Sequence, residues 1–162
     1  MKIGVISDTH ISQKSEHLPK KILDDFKTAD MVIHAGDLID IAVLEELRKI
    51  CKDVRAVAGN MDSPELKQKL NIKEIIPAGK YRIGLMHGWG NPTKLIEALN
   101  DAFKEDQVDI IVFGHSHSPV NLKKSGMLFF NPGSAMDKTF APYNSYGILE
   151  ISDKIEARII KL

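Results

Sequence analysis

Seven side chains able to donate an electron pair to a metal recur in one setting, directly after a short apolar run. Asp8 and His10 follow KIGVIS, Asp37 follows MVIHAG, Asn60 follows VRAVAG, His87 follows RIGLM, and His115 and His117 follow IIVFG. Together they offer two carboxylates, one amide oxygen and four imidazoles, with no thiolate. That mixture suits borderline divalent ions such as manganese, iron, nickel or zinc better than an all-oxygen calcium cage. Seven protein donors are too many for one small ion. They match two ions that share a bridging carboxylate and keep positions open for water and substrate. Residues two apart in an extended or turning segment point the same way, so Asp8 and His10 can serve one centre while His115 and His117 straddle two. Glycine precedes Asp37, Asn60 and His115 and follows His87, which leaves room where backbone comes close to an ion or its ligands.

Such donors must be delivered by a scaffold, and the apolar patterning describes one. Strands are expected at Lys2–Ser7, Met31–Ala35, Val54–Ala58 and the VDIIVFG run, with paired runs on either side of Pro77–Gly79, of Lys124–Gly126 and of Ser152–Lys154. Helical spacing appears in four places. Glu16–Phe26 carries Leu18, Ile22, Leu23 and Phe26, with Ser15 as N-cap and Pro19 in the first turn. Val43, Leu44, Leu47 and Ile50 form a stripe after Asp40. A short helix starts at Ser63 with Pro64 at its first position, and another starts near Pro92 with Leu95, Ile96, Leu99 and Phe103. Early strands alternate with helices and late strands form hairpins, so the expected fold is α/β, a four-layer αββα sandwich with two mixed β-sheets. Loops at the carboxyl ends of neighbouring strands then build one crevice.

Composition narrows the function classes. A chain of 162 residues with 43% hydrophobic content is expected to form one domain over 1–162 around a single core. Lysine plus arginine equal aspartate plus glutamate at 22 each, so nothing marks a basic polynucleotide binder or a polyanion mimic. The one cysteine, Cys51, allows no internal disulfide and fits a reducing compartment. No apolar run approaches membrane-spanning length, and MKIGVISDTH lacks a signal-peptide core. The expectation is a cytoplasmic protein without a membrane partner.

The ordered set SDTH, HAGD, GNMD, HG and GHSH resembles the calcineurin-like metallophosphoesterase superfamily. The short length and the later NPGS are similar to its YfcE-type phosphodiesterases. The resemblance covers Lys2 to about Ser134. It implies that Asp8, His10 and His117 bind one metal, that Asn60, His87 and His115 bind a second, and that Asp37 bridges them. It also makes Asp37, Asn60 and His87 the catalytic residues. The implied cofactor is a pair of divalent transition-metal ions, manganese foremost, with nickel, iron or zinc as alternatives. The implied reaction is hydrolysis of a small phosphodiester by in-line attack of a metal-bridging hydroxide, without a covalent phosphoenzyme. Two divalent cations against Asp8, Asp37 and a hydroxide leave a net positive pocket for the phosphate, which the neutral total of the chain conceals.

One residue departs from the wider family pattern. GNMD places Met61 where many members carry a histidine thought to protonate the leaving group, and a thioether cannot be a general acid. Aryl phosphodiesters should therefore be cleaved more readily than alkyl ones. The retromer scaffold subunit resembles this fold with impaired catalysis, so a protein-binding scaffold is the competing class. The complete donor set favours an enzyme. A nuclease would need a basic stripe with interleaved aromatics, which the sequence lacks. A homodimer or higher homo-oligomer through an exposed sheet edge is a further expectation.

Plainer roles compete at several positions. Asp8 and Asp37 are also the residue type that caps helices, Asn60 the type that takes left-handed turns, and His115 with His117 could form a surface pair. His34, inside a strand, reads as a core or supporting imidazole, and His17 as solvent-facing. Asp62 either supports a ligand or merely precedes the Ser63 cap. Asn131–Ser134 offers backbone amides to a substrate or is a plain turn, Lys138 is a weak phosphate contact, and Trp89 and Phe140 either stack on an aryl group or pack elsewhere.

Overall fold

The structure, a computed structural model, describes residues 1–11, 16–137 and 139–162. The apolar runs form strands β1 (Lys2–Ile6), β2 (Met31–His34), β3 (Val54–Ala56), β4 (Lys73–Ala78), β5 (Tyr81–Met86), β6 (Ile110–Val112), β7 (Val120–Lys124), β8 (Met127–Asn131), β9 (Ser145–Ile151) and β10 (Ile155–Lys161). Helices are α1 (Lys20–Phe26), α2 (Ala42–Ile50), α3 (Pro64–Lys69) and α4 (Leu95–Phe103), the last preceded by a 3-10 turn at Pro92–Lys94.

The strands assemble into two five-stranded sheets, ordered β10-β9-β1-β2-β3 and β4-β5-β6-β8-β7. Both are mixed. In the first sheet β1, β2 and β3 are parallel while β9 runs against β1 and pairs antiparallel with β10. In the second β5, β6 and β8 are parallel while β4 and β7 run against them. Alternation sorts the side chains between layers. Ile3, Val5, Ile110, Val112, Leu128 and Phe130 meet between the sheets. Ile111, Phe113 and Phe129 point outward to Leu95, Leu99 and Phe103 of α4. Ile22 and Phe26 of α1 and Val43, Leu44 and Leu47 of α2 cover the outer face of the first sheet with Leu66 of α3. The result is the expected αββα layering, and each fully buried Ile, Leu or Phe contributes about 1.5–3 kcal/mol.

Local signals set the helix ends. The Ser63 hydroxyl accepts from the Leu66 amide at 3.3 Å with Pro64 at the first position, and the Asp40 carboxylate accepts from the Ala42 amide at 2.9 Å. Strands β1, β2, β3 and β6 end one or two residues short of the expected bounds, and two further differences involve proline. Helix α1 begins at Lys20, because Pro19 takes an extended ψ of 133° and lies outside the helical range. The proposed Ser15 cap lies outside the described residues. Pro77 belongs to β4 and not to a turn, which a proline tolerates because β4 is an edge strand. The hairpin turns at Gly79 and Lys80. Among the described residues, no helix is long and apolar enough to cross a membrane.

Candidate metal centre

The six parallel strands, three in each sheet, release their carboxyl-end loops at one end of the sandwich. The sequence suggested loops gathered from neighbours in a sheet. Instead β1, β2 and β3 deliver Asp8, His10, Asp37 and Asn60, while β5 and β6 of the facing sheet deliver His87, His115 and His117. A hydrogen bond ties the two sets across the sandwich, the His115 amide donating to Asp8 Oδ1 at 3.2 Å. Within the first set, the Met61 amide donates to Asp37 Oδ1 at 2.7 Å.

All seven sequence-predicted residues converge. One ligand atom from each of Asp8, His10, Asp37 and His117 lies within 4.8 Å of the others. His117 Nε2 stands 3.3 Å from Asp8 Oδ1, and His10 Nε2 stands 3.7 Å from Asp37 Oδ2. Beside this group, His87 Nε2 lies 3.1 Å from Asn60 Oδ1 and 3.3 Å from Asp37 Oδ2, and His115 Nδ1 lies 2.9 Å from Asn60 Oδ1. The imidazoles fall into two neighbouring pairs, His10 with His117 at 4.9 Å and His87 with His115 at 5.4 Å between ring centroids.

Proton positions follow from the partners. The Ala35 carbonyl lies 2.7 Å from His87 Nδ1. A carbonyl can only accept, so Nδ1 carries the proton and Nε2 presents a lone pair to Asn60 and Asp37. The Gly90 carbonyl, 2.9 Å from His115 Nε2, leaves the Nδ1 lone pair toward Asn60 in the same way. In the neutral imidazoles these electron pairs face carboxylate and amide oxygens, an arrangement that either a proton or a cation resolves. His10 Nε2 is buried and, among the described residues, has no hydrogen-bond partner, a need the same cation would satisfy. The donor set therefore fits divalent metal.

Charge acts in the same sense. Burial pushes the Asp37 carboxyl up, but His87, the Met61 amide and His10 hold it below the usual carboxylate range. Burial pushes His87 down, and Asp37, Asp8 and the Ala35 carbonyl carry it above its ordinary value. The Asp8 carboxylate first, and then Asp137 against partial burial, raise His117 to about 9. A proton and a metal compete for these nitrogens.

The local backbone is unusual at this site. Asp8, His10, Asp37, His115 and His117 all adopt positive φ, between 49° and 67°, where side-chain-bearing residues are rare. The left-handed turns anticipated for Asn60 fall on these ligands instead. Neither Asp8 nor Asp37 caps a helix. A Cβ on Gly59 would collide with Oδ1 and the amide nitrogen of Asp37, and one on Gly114 would lie 2.6 Å from Asp8 Oδ2, so both glycines make room for carboxylates.

A supporting shell fixes these turns, and the sequence only partly revealed it. Buried Asp62 accepts from the amides of Gly59 at 2.7 Å, Ile39 at 2.7 Å and Asp37 at 3.2 Å, so it clamps the Asp37 and Asn60 loops together. His34 is buried; its Nδ1 accepts from Gly36 and its Nε2 meets the Thr9 hydroxyl, while burial drives its pKa to about 3 and keeps it neutral. Asn131–Ser134 braces the loops that carry Asp8 and His115. Asn131 donates to the Gly114 carbonyl and accepts from Gly133, and Ser134 donates to the Asp8 carbonyl at 2.6 Å. His17 is exposed, 3.4 Å from Glu46, and Lys138 lies outside the described residues. Sequence reasoning missed Asp137, whose Oδ2 lies 2.5 Å from His117 Nδ1. By accepting there it turns Nε2 toward Asp8. Its place three residues after NPGS was the one available signal.

The profile of the calcineurin-like phosphoesterase superfamily domain matches residues 1–154. The chain belongs to that superfamily. It is 38% identical to a probable metallophosphoesterase of Methanocaldococcus jannaschii over 100% of this chain and 82% of that protein. Its fold superposes on the structure of a novel archaeal phosphodiesterase with a TM-score of 0.81 at 27% identity, covering 100% of both chains. Wild-type Vps29 of Entamoeba histolytica, complexed with zinc, superposes with a TM-score of 0.78 at 30% identity over 99% of each chain.

Proposed function

We infer that this metallophosphoesterase hydrolyses a small phosphodiester with two divalent ions, one held by Asp8, His10 and His117 and one by Asn60, His87 and His115, with Asp37 shared. The observation carrying this reading is the convergence of oxygen and imidazole nitrogen atoms from Asp37, Asn60, His87 and His115 beside the Asp8, His10, Asp37 and His117 cluster. Two imidazole pairs support two ions, because Asp37 Oδ2 is within reach of both His10 and His87.

Divalent ions, when bound, supply the positive charge that draws a phosphate and ionise water near neutrality. The chain's own residues do the rest. Only Asp8 and Asp37 bring carboxyl groups to the ligand set, so most donors are neutral and the pocket keeps a positive field for an anionic substrate. Asn60 is exposed and presents the outer end of the site to the phosphate, while Asp37 and His87 are buried and held by fixed partners. Met61, 56% exposed and lining the same hollow as His10 and Asp37, contributes no proton to the leaving group. Manganese is the preferred ion on donor chemistry, with nickel, iron and zinc next.

Metal-stripped protein resupplied separately with manganese, nickel, zinc or magnesium tests the reading on an aryl phosphodiester. Hydrolysis should return with a transition metal and should fall by at least two orders of magnitude in Asp37→Asn and His117→Ala. Rates indifferent to stripping would overturn it. The competing scaffold reading requires that no ion restore turnover while the fold stays intact.

A further inference from the structure

A second cleft, of about 460 Å³, opens beside the metal centre and shares Asn60 and His87 with it. Its walls are Ala58, Met86, Ile72 and the indole of Trp89, and Lys67 is the one charged side chain on its rim. Ile72 is 68% exposed and Trp89 is 48% exposed, and neither belongs to a buried cluster. Together they form a solvent-facing apolar surface beside the donors. The metal centre itself opens into a cleft of about 510 Å³, where His10, Asp37, Asn60, His115 and His117 face Met61 and Phe140. The proposed phosphate position therefore lies in this hollow, with the Trp89 cleft adjoining it at Asn60.

We propose that the Trp89 cleft is a binding subsite for a planar aromatic arm of the phosphodiester, such as a nucleobase. This rests on the phosphodiesterase reading above. A diester has two arms diverging from phosphorus, and the cleft that ends on Asn60 and His87 lies where one arm leaves the metal centre. Its volume falls within the range of small-molecule sites. Away from Asn60 and His87 the walls are apolar but for Lys67 and the indole N–H, which disfavours a sugar or a charged arm as occupant. An exposed indole presents a flat face on which a ring stacks while its edges stay wet. Lys67 donates to the Asn60 carbonyl at 2.7 Å. Its ammonium keeps two further N–H groups for acceptors on a heteroaromatic edge.

The protein contains a single tryptophan, so its emission reports this cleft directly. Adenosine monophosphate and ribose phosphate differ only in the ring, and both can be titrated as inhibitors of aryl phosphodiester cleavage by the manganese-loaded protein. The nucleotide should inhibit about tenfold more tightly and quench Trp89 emission, and ribose phosphate should do neither. Trp89→Ala should abolish the tenfold preference, Trp89→Phe should retain most of it, and Phe140→Ala should leave it intact. Equal inhibition by the two compounds, a preference that survives Trp89→Ala, or a preference lost in Phe140→Ala would overturn the assignment. Emission is measurable even if no ion supports hydrolysis. Quenching without turnover would therefore sink the phosphodiesterase reading and keep the cleft, and turnover without quenching would do the reverse.

Discussion

Asp137 Oδ2 lies 2.5 Å from His117 Nδ1, and the backbone amides of Thr139, Phe140 and Ala141 converge on the same carboxylate. Those amides and His117 hold Asp137 at about 2 against the upward push of burial, so the charge that orients the imidazole is permanent above mildly acidic pH. Carboxylates that orient a ligating histidine contribute about 10–100-fold in metal affinity or activity. Asp137→Asn should therefore weaken manganese binding by roughly that factor, measured by calorimetric titration, with little change in the far-ultraviolet spectrum.

His117 also sets an alkaline dependence. Its imidazole is raised from 6.5 to about 9. In metal-free protein its contribution to stability is therefore complete below 6.5 and is lost as the pH rises through about 9. A bound ion replaces that proton, so binding releases it over the same window and tightens as the pH rises. The melting temperature of stripped protein should fall from pH 6.5 to 9, and the gap to manganese-loaded protein should widen. A gap that stays constant there would remove His117 from the ligand set.

His34 acts at the opposite end of the scale. Burial lowers it from 6.5 to about 3. The unfolded chain thus takes up a proton that the folded chain refuses, and stability is lost as the pH falls through that interval. The slope approaches about 1.4 kcal/mol per pH unit. In His34→Asn, which keeps a polar atom near the Nδ1 position, urea unfolding should become less sensitive to acid, and the difference from the parent protein should shrink as the pH is lowered from neutrality.

Gly59→Ala places a methyl group against the Asp37 carboxylate and amide. Overpacking of this kind costs about 1–3 kcal/mol, a fall of several degrees in melting temperature at this chain length. Because the clash falls on the ligand proposed to be shared, manganese affinity should drop by more than the stability loss alone explains. Equilibrium dialysis at a temperature where the variant is fully folded checks this.

Met61 predicts a leaving-group dependence. Aryl phosphodiesters, whose alcohols depart as stable anions, should be cleaved well over tenfold faster than alkyl diesters. Met61→His places a proton donor in the hollow lined by His10 and Asp37, and it should narrow that ratio by raising the alkyl rate. An unchanged ratio in competition kinetics would show that proton donation does not limit turnover.

The gathering of the candidate ligands was legible because buried strands and polar loop residues differ in kind: IIVFG is buried, and the imidazoles that follow it sit where the strand ends. The ten strands were readable for the same reason, through runs such as MLFFN whose alternate residues serve two layers. The split of the donors between two sheets was not readable, since strand pairing depends on contacts far apart in the chain. Asp137 lies in a segment without period, and only the fold carries it across 20 residues to His117. Nor did residue type reveal the positive φ of Asp8 or His115, because hydrogen bonds from neighbouring loops impose it. Residue type left Asp62 open between supporting a ligand and merely preceding a cap, and its three amide partners come from loops that meet only in the folded chain.

Those left-handed ligands have a consequence of their own. The sandwich and the Asp62 and Ser134 braces hold their twisted backbone in place. Swapping one divalent metal for another should then alter speed while leaving the skeleton alone, and cells with different metal supplies could run the same protein without redesign.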